Sequence, residues 1–68
     1  MSSITQKFGT NLRKLREKKK FSQMDLAEKS GLDLTTINEL ESGNRQPMLK
    51  TSWKIANALQ SKMSDLFD

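Results

Sequence analysis

Sixty-eight residues without a cysteine make one small domain, residues 1–68, whose stability has to come from packing, with no disulfide or cysteine-bound zinc to brace it. Twelve Lys and Arg against eight Asp and Glu give a net charge of +4, and the lack of histidine removes the commonest general base and metal ligand, which argues against an enzyme. Met1 to Ser3 place no Lys or Arg ahead of an apolar run and no stretch of about 18 apolar residues follows, so a soluble, cytoplasmic protein without leader or membrane span is expected.

Ile4, Phe8, Leu12 and Leu15 recur at helical spacing and predict a first helix running to about Lys18. Seven of the twelve basic residues fall in the first twenty positions against Glu17 alone, a balance of +6. Lys18, Lys19 and Lys20 suit a helix C-terminus and are equally suited to phosphate. Ser22 with Asp25 three residues on is a capping-box signature that opens a second helix at Gln23. Leu26 and Ala27 face inward, Gly31 ends that helix in a left-handed turn, and Leu32 plugs the core. Asp33 caps a third helix through Glu41, which Gly43 and Asn44 close.

At about 100° per residue, Ile37, Leu40 and Glu41 share the inner side of this third helix. Thr35, Asn38, Glu39 and Ser42 lie opposite, with Leu34 and Thr36 on the flanks. After a turn at Asn44 to Pro47, Leu49, Trp53, Ala56 and Leu59, joined by Ile55 and Ala58, predict the broadest apolar face of the chain. A last turn, Ser64 to Phe67, is expected to be capped by Ser64 and to fold Leu66 and Phe67 onto a core spanning about residues 8–67. No strand signal occurs, so the fold class is all-α.

Two short helices joined by a three-residue turn with Gly31 form a helix-turn-helix over about residues 23–42, and a rod of that kind matches the width of a DNA major groove. The order of residues is more specific than the pattern. The run Phe21-Ser22-Gln23-Met24-Asp25-Leu26-Ala27-Glu28-Lys29-Ser30-Gly31, then Ile37, Glu41, Ser42, Gly43 and Pro47, then Ile55-Ala56-Asn57-Ala58-Leu59 and Leu66-Phe67, resembles the Xre type of helix-turn-helix, the family of lambda-like repressors and Cro proteins. Within it the chain is similar to the small controller proteins of restriction-modification systems, with Gly43-Asn44-Arg45 as their Gly-x-Arg turn.

The resemblance implies a five-helix, lambda-repressor-like fold and a homodimer, formed through about residues 60–67, on a pseudo-palindromic operator in double-stranded DNA. Residues 34–41 would be its recognition helix. It assigns Leu34, Thr35, Thr36 and Glu39 to base reading, with Asn38 on the shoulder and Arg45 reaching in from the next turn. It assigns Gln23, with Ser22, and the segment holding Ser42, Asn44 and Lys50 to phosphate. Ser22 also stands as a plain cap. Many relatives open the third helix with Gln or Arg; Leu34 makes no bidentate base contact, so methyl contacts, Arg45 and DNA shape carry more of the reading. Arg16 and Glu41 would both be partly buried unless they meet, and the resemblance pairs them in a salt bridge.

The expected function is a transcriptional regulator, a restriction-modification controller or phage-type repressor, with no cofactor and no metal. Asp25, Glu28 and Asp33 near the turn are candidates for contact with RNA polymerase and are equally explained by the helix dipole. The alternative is an antitoxin that also holds a toxin, for which a segment beyond the last core position, Phe67, would be expected.

Overall fold

The computed structural model describes residues 3–68; Met1 and Ser2, where the reading against a leader begins, lie outside the described residues. Five helices follow in order: α1 (Ile4–Lys18), α2 (Gln23–Ser30), α3 (Leu34–Glu41), α4 (Leu49–Leu59) and α5 (Met63–Phe67). No strand is present among the described residues, and no helix among them is long and apolar enough to cross a membrane. The molecule measures 31 × 22 × 21 Å. α1 packs on α3 and α5, α2 on α3 and α4, and α4 on α5, enclosing one core of Phe8, Leu12, Leu26, Ala27, Ile37, Leu40, Ile55, Ala56, Leu59 and Leu66.

α1 opens with a capping box that the sequence pattern did not flag: Gln6 N–H donates to Ser3 Oγ at 3.1 Å and Ser3 N–H to Gln6 Oε1 at 3.4 Å. Its apolar stripe begins at Phe8 and not at Ile4, which is 64% exposed. A stripe position is buried only where another helix crosses it, and the first such crossings are Phe8 against Phe67, with ring centroids 5.2 Å apart, and Gly9 against α3. A Cβ on Gly9 would sit 2.4 Å from the Leu40 carbonyl oxygen and 2.8 Å from that of Glu41, so only glycine allows α1 this close to the end of α3.

α4 is rotated from the predicted face. Ser52, Ile55, Ala56 and Leu59 are buried, whereas Leu49 and Trp53 are 77% and 58% exposed. Positions 52, 55, 56 and 59 form an i, i+3, i+4, i+7 stripe, and Ser52 joins it because its hydroxyl donates to the Met48 carbonyl at 2.8 Å and so is paired where it is buried. α5 begins at Met63, one residue before the expected start, with Lys62 and not Ser64 at the cap position. The Asp65 carboxylate accepts the Lys62 N–H at 3.0 Å, which satisfies that end without a serine. Asn11 Nδ2 donates to the Leu66 carbonyl at 3.0 Å and ties α5 to α1.

Candidate nucleic-acid interface

The α2–α3 unit is shaped by three local devices. Ser22 Oγ accepts Asp25 N–H at 2.9 Å while Ser22 N–H donates to Asp25 Oδ2 at 2.8 Å, closing the start of α2. Gly31 takes φ 73°, and Leu32 N–H returns to the Ala27 carbonyl at 3.1 Å, which ends α2 and turns Leu32 into the core. Asp33 Oδ1 accepts Thr36 N–H at 2.9 Å and starts α3 after three residues. Hydrogen bonds from Ser22, its backbone N–H foremost, hold the Asp25 carboxyl below the usual carboxylate range. Hydrogen bonds from Thr36, side chain first and then backbone, do the same for Asp33.

Beneath this unit lies a charged network. Arg16 uses Nε and Nη2 on the two oxygens of Glu41, the latter at 3.1 Å, and its Nη1 donates to the Phe21 carbonyl at 2.8 Å. The side chains are 11% and 4% exposed, so the pair is a buried clamp between α1 and α3. Glu41, chiefly by hydrogen bonding, raises the already high pKa of Arg16 against the opposing effect of burial. Gln23 Nε2 donates to Glu41 Oε1 at 3.1 Å, and Asn38 Nδ2 donates to Gln23 Oε1 at 3.4 Å. The first residue of α2 is thus oriented from below by the clamp and from the side by the outer face of α3.

Leu34, Thr35 and Asn38 are exposed along α3, with Thr36 and Glu39 half-buried beside them. Ser22 is exposed and Gln23 half-buried at the adjoining end of α2. Ser42, Asn44 and Arg45 follow on the next turn. Asn44 Nδ2 donates to Ser42 Oγ at 3.0 Å, and Ser42 Oγ donates to the Glu39 carbonyl at 3.1 Å. Lys50 stands exposed on the first turn of α4. Arg45 is folded back on α3, its Nε and Nη2 at 2.8 and 2.7 Å from Glu39 Oε1, so two side chains assigned separately to base reading face each other.

One further group belongs to this surface. Arg13 lies three residues before Arg16, on the side of α1 that faces α3, and its Nε is 4.0 Å from Glu41 Oε1. With Gln23, Asn38, Glu41 and Ser42 it lines a shallow depression of about 100 Å³. The i, i+3 spacing to Arg16 was the available signal, and the string of basic residues around it hid it. Among the described residues, no group of three or more His, Cys, Asp or Glu side chains could hold a metal ion.

The helix-turn-helix family model HTH_3 matches residues 12–66. Control protein C.MunI of Mycoplasma sp is 38% identical over 68 residues, covering 98% of this chain and 92% of that protein. An HTH-type transcriptional regulator of Archaeoglobus fulgidus is 38% identical over 58 residues, covering 85% of this chain and 83% of its own. The crystal structure of the restriction-modification controller protein C.AhdI from Aeromonas hydrophila superposes with a TM-score of 0.89 at 41% identity, covering 93% of this chain and 96% of that one.

Proposed function

The chain belongs to the helix-turn-helix family HTH_3, and from that premise we propose that it is a sequence-specific transcriptional regulator acting in the cytoplasm, a homodimer on a pseudo-palindromic operator in double-stranded DNA. Its similarity to C.AhdI and C.MunI favours a restriction-modification controller. The observation that carries the reading is the exposed face of α3, with Leu34, Thr35 and Asn38 set beside a Gln23 that the Arg16–Glu41 clamp orients. Thr hydroxyls and methyl groups can meet base edges, and Leu34 can meet thymine methyl groups. Gln23, Ser22, Ser42, Asn44, Lys50 and Arg13 flank this face and hold the phosphates.

In the dimer the two copies of α3 enter successive major grooves about 34 Å apart. Residues 60–67 contribute to pairing together with the exposed row of α4 that leads into them, Leu49, Trp53 and Asn57. Glu28, exposed on α2 and not engaged in a cap, is the acidic group best placed for RNA polymerase.

Selection from a randomised duplex pool, followed by anisotropy titrations against salt, tests the reading. The selected duplex binds far more tightly than random sequence, and Thr35→Ala changes the preferred sequence with little change in salt slope. A selected pool bound no better than random duplex would overturn the proposal. A toxin-like protein co-purifying in fixed ratio would point instead to an antitoxin.

A further inference from the structure

Between Leu34 and Asn44 the recognition segment contains no Lys or Arg, so Arg45 is the first cation after it. Arg45 does not stand free. Both Nε and Nη2 rest on one oxygen of Glu39, at 2.8 and 2.7 Å. The backbone prepares this contact: Asn44 N–H donates to the Glu39 carbonyl at 2.9 Å, and the Ser42 hydroxyl donates to the same oxygen at 3.1 Å. The loop is therefore curled over the residue whose carboxylate receives Arg45, which brings the two side chains within reach of each other. At 49% and 38% side-chain exposure, the pair stays open to exchange with an outside partner.

We propose that Glu39 is an internal competitor for Arg45 that suppresses binding to non-operator DNA, so that discrimination depends on Arg45 being exchanged from Glu39 to the operator. The inference rests on the DNA-binding reading above and concerns the same surface. At random sequence, Arg45 can gain only a phosphate, and moving to it leaves the Glu39 carboxylate unpaired beside a polyanion. At the operator, the guanidinium gains base acceptors while Glu39 accepts from a cytosine amino group, so both partners are satisfied again. The ion pair thus handicaps the wrong duplex and is neutral toward the right one, which is specificity obtained from a repulsive element.

Glu39→Gln, Arg45→Gln and the double variant test this by anisotropy titrations on selected and random duplexes over a salt series, with circular dichroism confirming the fold. Glu39→Gln is expected to tighten random-duplex binding roughly 3–10-fold and to steepen its salt slope by about 0.9, one additional phosphate contact. The ratio of selected to random affinity falls. In the double variant the gain on random duplex disappears, because no cation remains to be released. If Glu39→Gln alters selected-duplex binding alone, Glu39 is only a base reader and the proposal is overturned. A gain that persists undiminished in the double variant also overturns it, since carboxylate repulsion alone then accounts for the effect. If no chain, wild type included, binds any duplex, the regulator reading falls first and this inference with it.

Discussion

Glu41 shows how one side chain joins stability to function. It accepts from Arg16 on one side and from Gln23 on the other while only 4% exposed. Truncation to Ala would leave the Arg16 guanidinium buried with only the Phe21 carbonyl as partner, a loss of about 3–5 kcal/mol. A domain of this size holds roughly 3–10 kcal/mol in total, so Glu41→Ala is expected to lose a large part of its stability and to melt well below wild type. Glu41→Gln keeps an acceptor and loses less. Thermal melting followed by circular dichroism checks both, and a charge reversal at Glu41 that left melting unchanged would remove the clamp from the account. The burial of Glu41 was readable in the sequence from helical periodicity, with Arg16 as its partner supplied by the family resemblance. The Glu39–Arg45 pair was not, because it depends on the loop curling back through the Asn44 and Ser42 hydrogen bonds, a geometry without a periodic signature.

Helix ends were legible for the opposite reason: capping chemistry is local. Ser22, Gly31 and Asp33 announce the α2 start, the turn and the α3 start from their residue types alone, and each does that work in the fold. These caps make stability depend on pH in a definite direction. The folded-state pKa values of Asp25 and Asp33 are depressed, so their contribution is complete above the ordinary carboxylate range near pH 4 and is lost as pH falls through the lowered values. The melting temperature should therefore fall on acidification below about pH 4, and fall less steeply in the Asp25→Asn, Asp33→Asn double variant. Contacts between elements were harder to read. Nothing beside Gly9 marks it as a crossing point, since the obstacle to a side chain there is the backbone of α3, more than thirty positions away. Gly9→Ala should cost about 1–3 kcal/mol despite the better helix propensity of alanine, because two carbonyl oxygens cannot rotate aside as a side chain would. A denaturant midpoint at or above that of wild type would contradict this.

At the scale of the whole molecule, the apolar side chains that the core does not use become informative. Periodicity alone assigned Leu49 and Trp53 to the interior, because a large apolar residue and a buried one look alike until the neighbouring helices are placed. The structure gives the inner position to Ser52 and leaves Met48, Leu49 and Trp53 at 71%, 77% and 58% exposure. Residues 60–67, by contrast, turn Leu66 wholly inward and set Phe67 against Phe8, so their apolar content serves the monomer. A two-fold contact built only from that segment would rest on Gln60, Lys62, Ser64 and Asp65, whereas one extended along α4 gains an aromatic anchor of the kind that dominates association energies. Each contact in such a pair occurs twice, which doubles the effect of a single change. Trp53→Arg should therefore weaken self-association more than about 10-fold in sedimentation equilibrium, with the melting temperature of the monomer little altered, because the ring does not reach the core. Operator affinity should fall with it at protein concentrations below the dimerisation constant, since a single half-site contact carries only part of the binding. If Trp53→Arg pairs as strongly as wild type while Lys62→Glu does not, the interface is confined to residues 60–67 and the exposed α4 row takes no part in bringing the two recognition helices together.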